Sequence, residues 1–270
     1  MKKFRLLGLL LIILCTLFLS ARCSVRSLVY IPPVPRNQTS YLENYALWED
    51  SRRSFKVDGA TLSGWYVEKK NCPLLVYYGG NSMDIATLLP YLTQFPCACL
   101  LVNYRGYGLS TGNPTEKHLV NDAIQILDQI VKESNRSLSQ VILVGQSLGS
   151  GVATQVAAQR EVGKLNLIVP FDSLLATAED LFPYLPVSWI LPDHFRSDLH
   201  APNVKCPVSI IAAGNDEVIH PSHARKLSKC FTTPVEYTEI PQALHNSFWN
   251  FPEFHQAFKK SLHLPTTQPK

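Results

Sequence analysis

The 270-residue chain lacks the sequence signatures of several common protein classes. It has no internal repeat, no low-complexity tract, no Cys and His spacing typical of a metal site, no Walker loop and no Gly-x-Gly-x-x-Gly fingerprint after a predicted strand. We therefore expect no metal, no cofactor and no nucleotide. Its 46% hydrophobic and 17% charged residues suit one globular α/β domain with a full-sized core.

Excess positive charge is confined to the N-terminus. The net charge is +4, but residues 1–23 contain four basic residues and no acidic one. The rest of the chain holds 21 Lys and Arg against 21 Asp and Glu, so it is neutral as a whole. Nucleic-acid-binding domains carry a basic patch or stripe, and we expect no nucleic-acid partner here.

The first 23 residues have the pattern of a targeting segment. A basic start (Lys2, Lys3 and Arg5) precedes an almost wholly apolar run over residues 6–19. This run is short for a membrane span and long enough for a signal peptide. Three outcomes stay open: a signal peptide cleaved after Cys23, a lipoprotein modified at that cysteine, or an uncleaved membrane anchor. In each of them the protein is exported or associates with a membrane through this segment.

Residues 24–40 are polar and rich in proline, which predicts an extended linker before a domain over residues 41–270. Strand-like segments open the domain at residues 42–48, 54–57 and 62–67. From Pro73 onward apolar runs alternate with helical patterns, which is typical of a parallel sheet. Further strands are predicted at residues 74–78, 97–103, 141–144, 165–169, 208–213 and 235–240. Helices are predicted at residues 83–95, after a cap at Asn113, and at 152–160, 221–229 and 247–262.

The central feature is a Gly-x-Ser-x-Gly motif, Gly145 to Gly149, at the end of a predicted buried strand. A helix-forming run follows at once, and this strand–turn–helix context is the one in which the motif forms a nucleophile elbow. The two glycines remove side chains that would collide in so tight a turn. We therefore expect the Ser147 hydroxyl to project from the carboxyl edge of the sheet. The motif also occurs by chance. A catalytic role for Ser147 is therefore indicated only if an acid and a base elsewhere in the chain can reach it.

A serine hydroxyl becomes a good nucleophile when a base takes its proton and an acid orients that base. Loops at the carboxyl ends of parallel strands converge on one crevice, so both partners should follow later strands. Asp216 comes three residues after one predicted strand, and His245 comes five residues after the last one. These two are the expected acid and base.

Other acidic residues and histidines are alternatives to Asp216 and His245. Asp172 follows the strand after the nucleophile and stays open as the alternative acid. Glu217 is adjacent to Asp216 and is expected to point elsewhere. His220 and His223 are expected at a helix start or on the surface.

An oxyanion hole needs two N–H donors aimed at the charge that develops on the carbonyl oxygen. One should be Leu148, directly after the nucleophile. The other should come from the loop Gly79–Ser82 after a predicted strand, where we favour Asn81.

Three stretches together resemble the α/β-hydrolase superfamily, in particular its small-lid group of membrane-anchored or exported serine hydrolases. They are Asn103–Glu116 with its Tyr-Arg-Gly-Tyr-Gly sequence, Gly145–Gly151 and Gly214–Pro221. The resemblance covers Leu42 to the end and implies a doubly wound, mostly parallel sheet with antiparallel N-terminal strands and a small lid. It also implies that Ser147, Asp216 and His245 form the triad. The chain departs from the family at Gly79-Gly80, where His-Gly is usual.

Residues 171–200 interrupt the alternation of strands and helices, and residues 181–191 within them are strongly apolar. Two interpretations stay open. The segment forms short helices packed on the sheet, or it forms a small lid over Ser147 that supplies an apolar wall for the substrate.

The strand order of the family makes two disulfides a hypothesis if the protein is exported. Each proposed couple precedes two strands that are neighbours in that order, and Cys99 would remain unpaired inside a strand. The alternative is that all five cysteines beyond residue 23 are small hydrophobic residues. The hypothesised couples are Cys72 with Cys97 and Cys206 with Cys230.

These features predict a serine hydrolase that cleaves an ester or thioester bond in a small-molecule or lipid-like acyl substrate through an acyl-enzyme. Ser147 would attack, His245 would carry the proton and Asp216 would orient His245, while the N–H groups of Asn81 and Leu148 hold the oxyanion. The alternative from another class is a catalytically silent hydrolase-fold binding protein of the cell envelope. Among enzymes, the alternative is a peptidase or acyltransferase with the same triad.

Overall fold

The computed structural model describes residues 16, 25–33, 43 and 46–263. The predicted targeting segment lies outside these ranges apart from Thr16. Residues 34–40 of the predicted linker and the first two residues of the predicted domain, 41 and 42, also lie outside them. Within the described ranges, no helix combines the length and the apolar character needed to cross a membrane. The division into targeting segment, linker and domain stays a prediction, as does export.

Eight strands of the described chain form one mixed sheet. In chain order they are β1 (Arg52–Val57), β2 (Ala60–Val67), β3 (Leu74–Tyr78), β4 (Ala98–Val102), β5 (Val141–Gln146), β6 (Lys164–Ile168), β7 (Val208–Ala213) and β8 (Val235–Ile240). Across the sheet they lie in the order β1-β2-β4-β3-β5-β6-β7-β8. The β1–β2 and β2–β4 pairs are antiparallel, and all other neighbours are parallel. The predicted mostly parallel sheet with an antiparallel opening is therefore confirmed.

Local sequence explains most of the strands. Asp58-Gly59 makes the turn between β1 and β2, where Gly59 has a φ of +69° that glycine adopts without strain. β3, β5 and β7 are buried along their whole length, as expected of strands covered on both faces. The strand predicted at residues 42–48 is wrong where the structure describes it. Residues 46 and 47 are helical, and Leu47 is 77% exposed, so this part has no buried face to pair and pack as a strand.

Helices lie on both faces of the sheet. The α-helices that the model describes after residue 48 are α1 (Leu89–Leu92), α2 (Glu116–Glu133), α3 (Leu148–Ala157), α4 (Leu174–Leu181), α5 (Val187–Ile190), α6 (Ser197–His200), α7 (Pro221–Ser228) and α8 (Pro252–Ser261). Leu127 of α2 and Val152 of α3 belong to the core on one face, and Leu89 of α1 and Phe258 of α8 belong to the core on the other.

Two helices begin later than the sequence predicts, and a capping residue or a proline explains each start. α2 begins at Glu116 rather than next to Asn113, because the Thr115 side chain accepts a hydrogen bond from the N–H of His118 at 3.1 Å and caps the helix there. The helix predicted from residue 247 begins at Pro252, and a 3₁₀ turn over Phe248–Asn250 precedes it. Proline favours the first helical turn because its missing N–H has no intrahelical partner there.

Part of the predicted linker packs onto the domain. Residues 25–29 are helical, and Tyr30 directly after them is 3% exposed. The Tyr30 ring lies edge-on to Phe195 with 6.5 Å between the ring centroids. In its described part, this segment is therefore not the extended linker that its proline content predicts.

The disulfide hypothesis is wrong in this structure, where the described cysteines are free thiols: Cys72, Cys97, Cys99, Cys206 and Cys230. The Cys72 thiol donates to the carbonyl oxygen of Lys69 at 3.0 Å, so it is engaged locally. Burial raises the pKa of Cys97 and of Cys206 to about 11, which keeps both thiols neutral. Strand adjacency predicted which cysteines share an edge of the sheet, but not where their side chains point.

The close approach of α3 to the end of β3 predicts a large cost for Gly149→Ala. A Cβ at this position would lie 2.0 Å from the carbonyl oxygen of Tyr78 and 2.7 Å from that of Gly79. Since backbone atoms cannot move aside alone, we expect the free energy of unfolding to fall by about 3 kcal/mol in urea titrations. The exposed Gln125→Ala on α2 is the control and should change it by less than about 0.5 kcal/mol. An unchanged midpoint for Gly149→Ala would contradict the packing.

Candidate active site

The Gly-x-Ser-x-Gly segment forms a sharp turn between β5 and α3. Ser147 has φ +50° and ψ −117°, a strained conformation for a residue with a side chain. Its N–H donates to the carbonyl oxygen of Ile168 on β6 at 2.9 Å, which helps to hold the turn. A Cβ at Gly145 would lie 2.4 Å from the carbonyl oxygen of Gly149, which explains why the motif needs glycine there.

The imidazole of His245 lies beside the Ser147 hydroxyl. Nε2 of His245 is 3.0 Å from Oγ of Ser147, and Nδ1 faces the carboxylate of Asp216. The His245 side chain is only 7% exposed, so water competes little for these contacts. The tautomer that donates from Nδ1 to the carboxylate leaves Nε2 as an acceptor for the serine proton.

Asp216 occupies the turn after β7 and holds the imidazole in place. Its Oδ2 and Oδ1 lie 2.8 and 3.0 Å from Nδ1 of His245. Oδ1 also accepts hydrogen bonds from the N–H groups of Val218 at 2.9 Å and Ile219 at 2.7 Å. The structure thus brings together the three residues that the sequence selected, with the carboxylate oriented by its own loop.

Glu217 has a role that the sequence did not reveal. We expected its side chain to point away from the site, but Oε2 accepts a hydrogen bond from the N–H of His245 at 2.9 Å. The N–H of Asn215 also donates to the carbonyl oxygen of Ala243 at 3.0 Å. These contacts join the loop after β7 to the loop after β8, so the acid and the base are held as one unit. Only adjacency to Asp216 could have indicated this.

The loop Gly79–Ser82 runs next to the nucleophile. A Cβ at Gly80 would lie 3.5 Å from Cβ of Ser147, so Asn81 follows the point of closest approach. Leu148 is the first residue of α3, where an N–H has no partner within the helix. Both predicted oxyanion donors therefore belong to segments that border Ser147.

Two tyrosines of the Tyr-Arg-Gly-Tyr-Gly loop hold the loop Gly79–Ser82. We call this segment the oxyanion loop, after the donor expected in it. The Tyr104 hydroxyl donates to the carbonyl oxygen of Gly79 at 2.9 Å, and the Tyr107 hydroxyl donates to Oδ1 of Asn81 at 2.6 Å. Burial raises the pKa of both hydroxyls well above its ordinary value, so they remain protonated donors. The sequence marked this loop by family resemblance and gave no role to its tyrosines.

Arg105 anchors the same loop to α2. Its Nε and Nη2 donate to the two carboxylate oxygens of Asp122 at 2.7 and 2.8 Å, and Nη2 also donates to the carbonyl oxygen of Asp58 at 2.6 Å. Both side chains of the ion pair are about 5% exposed or less. A bidentate geometry of this kind fixes the guanidinium plane as well as its position, and with it the two neighbouring tyrosines.

An open cleft of about 500 Å³ lies over the Ser147 hydroxyl. Among its lining residues, Met83 and Val218 are apolar, while Gln146 and Asn246 are polar. In the described part of the chain, no group of three or more His, Cys, Asp and Glu residues is placed to hold a metal ion. The cleft therefore gives access from solvent to Ser147 and His245.

Residues 171–200 form the short helices α4, α5 and α6. The carboxylate of Glu116 anchors their base by accepting hydrogen bonds from the N–H groups of His194 at 2.9 Å and Phe195 at 3.0 Å. Between α4 and α5 the apolar side chains face solvent, and Tyr184 is 96% exposed. Leu181 lines a cavity next to Val218, at the edge of the Ser147 cleft. A lid that closes over Ser147 stays a prediction.

Asp172, the alternative acid, forms a separate ion-pair cluster. Its Oδ1 lies 2.5 Å from Nδ1 of His223 and its Oδ2 lies 2.5 Å from Nζ of Lys226. Nε2 of His223 lies 3.1 Å from a carboxylate oxygen of Asp180 on α4. His223 lies in the first turn of α7, which agrees with the helix-start position expected for it, but it is buried at 5% exposure and not on the surface. Asp172 thus faces His223 and not His245.

Sequence comparisons agree with this fold. A family model described as "Serine aminopeptidase, S33" matches residues 72–191. An uncharacterized protein of Mycobacterium tuberculosis is 32% identical over 195 residues, which are 70% of this chain and 69% of that protein. The α/β-hydrolase domain-containing protein aho-3 of Caenorhabditis elegans is 31% identical over 192 residues, covering 70% of this chain and 55% of that protein. The chain belongs to the α/β-hydrolase superfamily.

Solved structures give the same fold. An α/β-hydrolase from Vibrio vulnificus superposes with a TM-score of 0.71 at 20% identity, covering 88% of this chain and 92% of that chain. An esterase from Pyrococcus furiosus superposes with a TM-score of 0.64 at 17% identity, covering 87% of this chain and 100% of that chain. At these identities the likeness concerns the fold alone. Together with the family membership, it supports a hydrolase.

The buried His223 predicts a stability difference that depends on pH. The hydrogen bond with Asp172 raises the pKa of His223 above the ordinary 6.5 and outweighs burial, which by itself would lower this pKa. A raised folded-state pKa stabilises the fold below the unfolded-state pKa, and this gain is lost as the pH rises through the folded-state value. His223→Gln keeps a donor that does not titrate. We expect wild type to exceed this variant in Tm by about 3 °C near about pH 6 and by less near about pH 9. A difference that grows with pH would contradict the ion pair.

Proposed function

We propose that the protein is a serine hydrolase that cleaves ester or thioester bonds through an acyl-enzyme. The observation that carries this proposal is one chain of hydrogen bonds, with 3.0 Å between Ser147 and His245 and 2.8 Å between His245 and Asp216. The strained backbone of Ser147 supports it, because strain of this kind is kept where function needs it. The loop that contains Asn81 passes close to Ser147, and Leu148 begins the helix directly after it, which supports the proposal as well.

The reaction has two halves. Oγ of Ser147 attacks the carbonyl carbon while Nε2 of His245 takes the hydroxyl proton, and the N–H groups of Asn81 and Leu148 donate to the oxyanion. His245 then gives its proton to the leaving oxygen or sulfur, and the acyl group stays on Ser147. Water then attacks the acyl carbon as Nε2 of His245 takes a proton from it. The bond between the acyl carbon and Oγ of Ser147 breaks, His245 returns the proton to Oγ, and the carboxylic acid leaves. The Asp216 carboxylate stabilises the imidazolium in both halves.

Apolar surface around the cleft favours an acyl chain as the group that is recognised. Met83 and Val218 line the cleft itself. Leu181 lines the neighbouring cavity, and the exposed Phe182 and Tyr184 follow it on the outside. Pockets lined by apolar side chains with a few placed polar groups suit ligands of this kind. We therefore propose a lipid-like or other apolar acyl ester or thioester as substrate.

An aminopeptidase with the same triad is the second candidate. The description of the matching family model favours it. Asp180 and Glu217 in the neighbouring cavity also favour it, because carboxylates there can bind the cationic amine of a peptide. Relative kcat/KM for p-nitrophenyl butyrate and for aminoacyl p-nitroanilides separates the two. We expect the ester to be preferred, and a preference for the anilide would replace the esterase proposal.

Ser147→Ala tests the nucleophile. Since this change removes the attacking oxygen, we expect loss of p-nitrophenyl butyrate hydrolysis and of covalent labelling by a fluorophosphonate probe. Ser139→Ala, at an exposed position before β5, is the control and should be labelled like wild type. If Ser147→Ala is still labelled, the nucleophile is elsewhere. A folded wild type that is never labelled would point to the catalytically silent binding protein instead.

Asp216→Asn and Asp172→Asn compare the two candidate acids. Loss of the charge behind His245 leaves the wrong tautomer facing Ser147, so we expect kcat of Asp216→Asn to fall by about 10³- to 10⁴-fold. Asp172→Asn disturbs only the His223 cluster and should keep kcat within about fivefold, with a lower Tm. The opposite ranking in ester hydrolysis would transfer the role of the acid to Asp172.

A further inference from the structure

The segment after the short helix at residues 25–29 lies against the oxyanion loop. We call residues 30–33 the strap. The N–H of Ile31 donates to Oδ1 of Asn81 at 2.9 Å, and the carbonyl oxygen of Ile31 accepts from the N–H of Ser82 at 3.0 Å. The strap thus forms two hydrogen bonds with the residue that supplies the proposed oxyanion donor and with its neighbour.

The strap is tied to the body of the domain at other points. Tyr30 is buried and packs against Phe195. Just before the strap, Nε of Arg26 donates to Oδ2 of Asp193 at 3.3 Å, and Oδ1 of Asp193 accepts from the N–H of Glu116 at the start of α2 at 3.2 Å. The contact with Asn81 is therefore made by a segment whose own position is defined by the domain.

Oδ1 of Asn81 is held from three directions. Besides the N–H of Ile31, it accepts from the Tyr107 hydroxyl at 2.6 Å and from the N–H of Ser82 at 3.2 Å. Ser82 has a φ of +58°, a conformation that a residue with a side chain adopts only with support. The bond from Ser82 to the strap supplies such support on the far side of Asn81.

We propose that the strap positions the oxyanion loop, with the N–H of Ile31 acting through Oδ1 of Asn81 as a positioning group for hydrolysis. This inference rests on the proposed serine hydrolase function. Oxyanion donors lower the barrier only when they are already aimed at the developing charge. Release of the loop from the strap therefore reduces kcat more than it raises KM, because Gln146, Val218 and Asn246 of the cleft lining lie outside this loop.

The test uses Ile31→Pro in the full chain, because proline removes the N–H and keeps the carbonyl group. With p-nitrophenyl butyrate we expect kcat to fall about tenfold and KM to change less than about twofold. Asn81→Ala should lose a similar factor, because it removes the acceptor of the Ile31 N–H. Leu28→Ala, at a 71% exposed position just before the strap, is the control and should keep wild-type kcat.

A double variant shows whether Ile31 acts through Asn81. In the Asn81→Ala background, Ile31→Pro should lower kcat by less than about twofold, because the shared contact is already gone. Hydrogen exchange of the peptide over residues 79–88 should also be faster in Ile31→Pro. Full additivity of the two changes, or wild-type kcat in Ile31→Pro, overturns the inference when Ser147→Ala is inactive. Activity that survives in Ser147→Ala would instead overturn the proposed function itself.

Discussion

The hydrogen bond between Oγ of Ser147 and Nε2 of His245 is the contact on which the rest of the site depends. It joins residues 98 positions apart in the chain, and it forms because β5 and β8 end at the same edge of one sheet. Two strands lie between them, so the loops after β7 and β8 must bend back toward the centre. The bond from the N–H of His245 to Glu217 holds that bend, and the ring stays within reach of the hydroxyl.

Features that depend on short stretches of sequence were predictable. The strands from β3 to β8 lie within two residues of their predicted positions, because each is a compact apolar run between turn residues. The same runs placed Ser147, Asp216 and His245 a few residues after strand ends. Parallel strands then required all three loops to emerge on one side. The elbow and the meeting of these three side chains followed from local patterns combined with one topological rule, whereas the order of the strands was implied only by the family resemblance.

Features that depend on distant partners were not predictable from such patterns. Nothing near residue 31 indicates that its N–H meets Asn81, and nothing near His223 indicates burial against Asp172. The contacts of the Glu116 carboxylate with the N–H groups of His194 and Phe195 also join residues far apart in the chain. The adjacency of strands likewise suggested which cysteines are near each other, but it did not determine whether their thiols form a disulfide. In each case, side-chain direction in the folded chain decided the outcome.

The burial of Tyr30 and the tie of Arg26 to Asp193 set a border for protein engineering. The described residues from Arg26 onward make contacts with the domain. An exchange of N-terminal segments between relatives should therefore be joined before Arg26. A fusion made after Ile31 would separate that residue's neighbours in the chain from its contacts with Asn81 and Ser82.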